Sequence, residues 1–173
     1  MNETLNILKS RRACRSFSDK PVEEEKLNAI LEAGTYAPTG MGKQSPIIIA
    51  VTNKELRDRL SKLNAAVMNS DGDPFYGAPT VLVVLADRTV PTYLYDGSLV
   101  MGNLMNAAES LGVNSIWIHR AREVFAGDEG KKILKDLGIT GDYEGIGNCC
   151  LGYMQAPLQS PKPRKENYIY RVN

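Results

Sequence analysis

Two clusters of cations stand out on this chain. The first, KSRRACRSF, occupies residues 9–17, and the second, KPRK, occupies residues 162–165. Arginine offers a rigid planar fork that grips phosphate oxygens in pairs, and lysine adds a compact point charge. Two such clusters, one from each end of the chain, would together suit a dianionic phosphate monoester. A charge run alone is more often a solvated surface patch, so the assignment needs further residues.

The stretch APTGMGKQSP (37–46) offers another phosphate chemistry, because Gly42-Lys43 ends a small glycine-containing loop. A phosphate-cradling loop of the type G-x-x-x-x-G-K-[ST] follows a strand and opens a helix. Here Ala37 stands where the first glycine is required and Gln44 where the metal-binding hydroxyl is required. The order is also inverted, since the loop follows a helix-like run and feeds a β-branched one. Nucleotide triphosphate hydrolysis is thereby set aside.

Composition removes further classes. Lys and Arg number 21 against 20 Asp and Glu, so no global field draws nucleic acid or an anionic membrane. A hydrophobic share of 43% and a charged share of 24% are those of a globular chain and not of a disordered one. The opening MNETLNILKSRR lacks the apolar core of a signal peptide. VLVVLA (81–86) is too short to span a bilayer. Cys14, Cys149 and Cys150 cannot form a disulfide framework, and with one histidine and no CxxC pair there is no zinc pattern. Reduced, buried thiols in a cytoplasmic protein are expected.

An alternating series of helices and strands must position the basic residues. Residues 4–9 fit a short helix with Leu5 and Leu8 on one face and Asn2 or Thr4 as cap. EEEKLNAILEAG (23–34) reads as a second helix, with Leu27, Ile30 and Leu31 inward and Gly34 as its stop. IIIAV (47–51) is a strand. KELRDRLSKLNAAVMN (54–69) repeats Leu56, Leu60, Leu63 and Val67 at helical spacing. After a polar turn, TVLVVLA (80–86) predicts a strand buried on both faces.

DGSLVMGNLMNAAE (96–109) carries no charge between its ends, and its apolar residues run right round the helix. Such a helix needs cover on every side, most easily from a second subunit. A strand NSIWIH (114–119), a helix DEGKKILKDLG (128–138) and a glycine-punctuated strand GIGNCCLGY (145–153) follow. The last stretch, 154–173, holds three prolines and four basic residues and ends in the strand-like NYIYRV. It reads as an extended arm that must lie on something. With two opening helices and no GxGxxG after the first strand, a dinucleotide-binding fold is not indicated. At 173 residues one domain is expected, an α+β fold with a mixed or antiparallel central sheet flanked by helices.

Arg-Arg-x-x-Arg-x-Phe closing a short N-terminal helix resembles the signature of the FMN-dependent nitroreductase family. The likeness continues in order along the chain. APTGMGKQSP is similar to the family's Ala-Pro-Ser-x-x-Asn-x-Gln-Pro-Trp loop, the 96–112 helix to its central dimer helix, and Leu151-Gly152-Tyr153 with Lys162 and Arg164 to its closing segment. The resemblance implies a homodimer with two FMN sites, each built from both chains, and a C-terminal arm exchanged between subunits. It implies hydride transfer from NAD(P)H through flavin N5 to nitroaromatics, quinones or related small molecules by a ping-pong route.

Carried over residue by residue, Arg11, Lys162 and Arg164 match phosphate contacts. Arg12 and Ala13 match contacts around the ribityl chain and ring, and Arg15 matches a basic residue at the pyrimidine edge. Pro38, Thr39, Gly40 and Gln44 belong to the loop that leans toward the partner's flavin. Ile118 or His119 would offer a backbone N–H to N5. No side chain is assigned a catalytic role, because the flavin carries the hydride. Ala13, Gly42 and Ser45-Pro46 depart from the family's Ser, Asn and Pro-Trp. Two other classes stay open: a specialised flavin oxidase or ring-modifying member of the fold, and a flavin-binding module without catalysis.

Overall fold

The computed structural model describes residues 2–173. Helix α1 (Glu3–Ser10) is capped by Asn2, whose Oδ1 accepts from the Leu5 N–H at 3.0 Å. Its Leu5 and Leu8 are exposed, and no residue of the helix is buried within the chain. Helix α2 (Glu24–Thr35) buries Leu27 and Ile30. A 3-10 turn (Gly40–Gly42) leads into strand β1 (Pro46–Val51), and helix α3 (Lys54–Val67) follows, capped by Asn53. Strand β2 (Thr80–Asp87), helix α4 (Tyr93–Ser110) and strand β3 (Asn114–Ile118) come next. Helices α5 (Ala121–Ala126) and α6 (Asp128–Asp136) precede strand β4 (Tyr143–Gly152).

The fold is α+β, with one four-stranded antiparallel sheet in the order β1-β2-β4-β3. Strand β2 pairs with β1 from Pro46↔Ala86 to Val51↔Val81, and with β4 from Thr80↔Leu151 to Asp87↔Tyr143. Alternation explains its unbroken apolar run. Val81, Val83 and Leu85 point into a core with Leu60, Phe75, Phe125 and Ile133, while Leu82, Val84 and Ala86 point into a second core with Ile30, Met101 and Leu104. One face is thus covered by α3, α5 and α6 and the other by α2 and α4. Each fully buried Val or Leu contributes about 1.5–3 kcal/mol relative to exposure.

Several expectations are corrected. Gly34 does not stop α2 but lies inside it, where a Cβ would stand 2.6 Å from Leu104 Cδ2. It lets α2 and α4 approach closely. Val67 is exposed, and the inward face of α3 is instead partly polar, with Arg57, Ser61 and Asn64 buried beside Leu60 and Ala65. Helix α5 had no sequence signal of its own. The closing NYIYRV forms no strand: residues 166–168 make a 3-10 turn, and Ile169, Tyr170 and Val172 are exposed. Helix α4 packs Val100, Met101, Leu104 and Ala108 inward, yet leaves Leu94, Tyr95 and Leu99 exposed.

Candidate functional site

The basic residues after α1 are held by backbone bonds along the free edge of β3. The Cys14 N–H donates to the Ser115 carbonyl at 3.0 Å, Ala13 bridges Ser115 in parallel, and the Phe17 N–H donates to the Tyr76 carbonyl at 3.1 Å. The arm starts beside this segment. Phe17 bridges Met154, and the Gln155 N–H donates to the Ser16 carbonyl at 2.9 Å. Two clusters separated by the whole chain are thereby brought together. Arg11, Arg12, Ala13, Arg15, Lys162 and Arg164 line one cleft of about 290 Å³ with Gln159, Ser160 and Pro161.

That lining contains no carboxylate. Among the described residues, Arg11, Arg12, Arg15, Lys162 and Arg164 enter no ion pair. No carboxylate neutralises their charge. The Arg12 guanidinium folds back to cap α1, its Nη1 donating to the carbonyls of Lys9, Ser10 and Arg11 at 2.7, 3.0 and 2.7 Å. Its Nε is buried without an acceptor among the described residues. The arm's own turn is tightened by Arg164 Nη2 donating to the Lys162 carbonyl at 2.7 Å.

Arg15 continues the groove. It lines a hollow of about 190 Å³ with Ala13, Ser16 and residues 156–159, and a larger one of about 410 Å³ with Ile116, Trp117, Ile118, His119 and Arg120. Met68, Ser70 and Tyr76 also line the larger one, together with Asp73, whose carboxylate is paired with Arg57. Sequence reasoning missed Met68, Ser70 and Tyr76, and Trp117 and Arg120, because they come from turns and a strand end with no motif. His119 is exposed, not a core residue, and its carbonyl is held from inside by Asn64 Nδ2 at 2.8 Å.

Pro38, Thr39, Gly40 and Gln44 are not brought to this groove within one chain. Thr39 and Gln44 line a separate, mainly apolar hollow of about 560 Å³ between α2 and β1. The loop is anchored by buried Asp96, in the first turn of α4: Oδ1 accepts from the Gly40 N–H at 2.9 Å, and Oδ2 accepts from Ser45 Oγ at 2.8 Å and Thr92 Oγ1 at 3.1 Å. Met41, Gly42 and Gln44 all carry positive φ, at 53°, 65° and 50°. Gly42 adopts this region freely, but at Met41 and Gln44 it is strained and kept by the loop's anchors.

A further hollow, about 680 Å³, lies beside α3, and Asp58, Asp71 and Asp73 are among its lining residues. Its acids disqualify it for phosphate. Within it Arg57 is buried, donating from Nη2 to Asp73 Oδ2 at 2.5 Å and from Nε to the Ala78 carbonyl at 2.9 Å. Burial pushes the Asp73 carboxyl up, but Arg57, Ser61 and the N–H groups of Gly77 and Phe75 outweigh it and hold the group below its ordinary range. All three cysteines are buried. Burial pushes Cys149 up to about 12 and Cys150 well above the ordinary thiol range.

The sequence model of the nitroreductase family matches residues 8–153. A nitroreductase of Bacteroides fragilis, solved with bound FMN, superposes with a TM-score of 0.91 at 30% identity, over 100% of both chains. A nitroreductase of Desulfitobacterium hafniense, also with bound FMN, gives 0.90 at 31% identity, again over 100% of both. The NADPH-flavin oxidoreductase of Vibrio harveyi is 28% identical, the match covering 98% of this chain and 72% of that protein. With the antiparallel sheet, the order of its helices and the basic groove already in place, these likenesses show that the chain belongs to the nitroreductase family.

Proposed function

We propose that this protein is a cytoplasmic, FMN-dependent oxidoreductase that moves hydride from NAD(P)H to nitroaromatic, quinone or related small acceptors in a ping-pong cycle. One observation carries the reading: five cations from the two ends of the chain line one cleft without a carboxylate or an ion partner, and through Arg15 the groove runs on to the 117–120 strand end, where the carboxylate in the wall, Asp73, is already paired with Arg57. A phosphate at one end and a flat ring at the other fit that charge distribution.

Bound FMN would supply the redox chemistry, accepting and releasing hydride. The chain's residues do the rest. Arg11, Lys162 and Arg164 would hold the phosphate by charge-assisted bonds, and Arg12 and Ala13 would border the ribityl chain. Arg15, a fixed cation at the ring's pyrimidine edge, would favour the reduced cofactor. Ile118 or His119 would offer a backbone N–H to the ring, and no side chain is given a proton to move. Residues 1–173 would form one FMN-binding domain, with 154–173 as its arm.

A homodimer is part of the proposal. Leu94, Tyr95 and Leu99 of α4 lie exposed, as do Leu5 and Leu8 of α1, and Ser10 Oγ donates to Glu109 Oε1 at 3.0 Å to tie the two helices together. The arm's Ile169, Tyr170 and Val172 are 76%, 82% and 100% exposed, so cover from a second copy would bury both sets. The same partner would bring its Asp96-anchored loop, with Pro38, Thr39, Gly40 and Gln44, to the groove. No helix among the described residues is long and apolar enough to cross a membrane.

The experiment is direct. The purified protein should show oxidised-flavin absorption, and turnover with NADH or NADPH and a quinone or nitroaromatic should give parallel double-reciprocal lines. Intersecting lines, the mark of a ternary complex, would contradict the ping-pong cycle.

A further inference from the structure

The strand end at residues 118–120 is held in an unusual way. Two side-chain amides, from different elements and both buried, hold its two carbonyls, sharing that of His119. Asn64 on α3, 0% exposed, donates from Nδ2 to the His119 carbonyl at 2.8 Å. Asn148 on β4, 2% exposed, donates from Nδ2 to the Ile118 carbonyl at 3.4 Å and to the His119 carbonyl at 3.5 Å. Directly after them Arg120 is forced to φ 76°, ψ 10°, a left-handed conformation that an arginine seldom adopts.

Peptide geometry turns this clamp outward. In a planar trans peptide the N–H points opposite to the carbonyl it is bonded to. With the carbonyls of Ile118 and His119 fixed on the interior amides, the N–H groups of His119 and Arg120 point the other way. That is toward the cleft that Ile118, His119 and Arg120 line together with Arg15. Neither N–H has an acceptor among the described residues. Because both carbonyls are held on the interior side, the two successive N–H groups face one hollow.

Asn64 bears a cost for this. Its Oδ1 is buried with no partner among the described residues, and a buried unsatisfied acceptor is destabilising. The amide cannot simply be reversed, since an oxygen would then face the His119 carbonyl. A residue that only filled space at this position would serve better as an aliphatic.

We propose that Asn64 and Asn148 are positioning residues, which hold the 118–120 backbone so that the His119 and Arg120 N–H groups donate to a planar heteroaromatic ring bound in the Arg15 cleft. The proposal rests on the FMN reading and adds to it a part that no motif marks. These donors would stabilise negative charge on the ring, so loosening them would lower the flavin's midpoint potential as well as its affinity.

The test uses the full-length protein and its Asn64→Leu and Asn64→Asp variants, with FMN binding, midpoint potential and melting temperature measured on each. Asn64→Leu removes both the clamp and the unsatisfied oxygen. It is expected to melt no lower than the parent while binding FMN roughly tenfold more weakly, the loss of about one oriented hydrogen bond, and at a lower potential. Asn64→Asp keeps the shape but faces the carbonyl with an acceptor, and the same two losses are expected. A purely structural asparagine would instead lower the melting temperature and leave the potential where it was. If either folded variant keeps the parent's FMN affinity and potential, the clamp is refuted while the flavin reading stands. If the parent itself takes up no FMN, the flavin reading falls and the clamp's purpose falls with it.

Discussion

Asp96 should be the most sensitive single anchor of the loop at 38–45. It is 2% exposed and receives three hydrogen bonds, from the Gly40 N–H, Ser45 Oγ and Thr92 Oγ1, at 2.9, 2.8 and 3.1 Å. Its place in the first turn of α4 adds a favourable interaction with the helix dipole. Substituting alanine deletes all three acceptor contacts and leaves a backbone N–H and a buried hydroxyl unpaired. Each hydrogen bond to a charged acceptor is worth about 1.5–3 kcal/mol. Because neighbours are not additive and the loop can relax, about 3–5 kcal/mol is expected. For a chain of this length that is a fall in melting temperature of roughly 6–20 °C.

Substituting asparagine should behave differently. One oxygen still accepts, and the Ser45 and Thr92 hydroxyls can rotate to accept from the new amide, so the loss should be nearer ~1 kcal/mol. Differential scanning calorimetry on the two variants and the parent is the assay. An alanine variant that melts with the parent, or an asparagine variant as damaged as the alanine one, would show that Asp96 does not anchor the loop as described.

Other outcomes follow from the same geometry. The Asp73 carboxyl is held below its ordinary value of 3.8, so its share of stability is present above that pH and lost as the pH falls below it. The difference in melting temperature between the parent and Asp73→Asn should therefore shrink in acid, and an unchanging difference would contradict the ion pair with Arg57. Burial raises Cys14, Cys149 and Cys150, all buried, so a thiol reagent at mildly alkaline pH should label none rapidly in the folded protein and all three after unfolding. Removing residues 166–173 should loosen the dimer and weaken FMN together, as sedimentation and titration would show, because the exposed Ile169, Tyr170 and Val172 need a partner surface.

What the sequence revealed and what it hid divide on physical lines. The continuous run 80–86 announced a doubly buried strand because alternation left no polar position, and β2 is that strand. The uncharged helix at 96–109 announced a need for cover, and α4 is half covered by its own chain, with Leu94, Tyr95 and Leu99 left outward. Gly34 was misread because a glycine near a helix end signals a stop, whereas only the packing against Leu104 reveals a close approach. Helix α5 is six residues long, too short for a period to show. The tail's strand-like pattern has no strand because a strand exists only when paired.

The two basic clusters were legible as charge, but their meeting was not. It depends on backbone bonds from Cys14 to Ser115 and from Gln155 to Ser16, pairs that no local pattern records. The Asp96 anchor and the Asn64 clamp were invisible for the same reason, since each joins residues more than fifty positions apart, as Asp96 with Gly40 and Asn64 with His119 do.

The central claim is that the Arg11, Lys162 and Arg164 end of the groove holds the phosphate of FMN. Equilibrium titration of the parent and of Arg164→Ala with FMN and with riboflavin, which lacks the phosphate, tests it most directly. The parent should prefer FMN clearly. Arg164→Ala should keep its riboflavin affinity and lose roughly ten- to a hundredfold of that preference, the worth of about 1.5–3 kcal/mol for a charge-assisted contact. A variant that favours FMN over riboflavin as strongly as the parent does would contradict the claim.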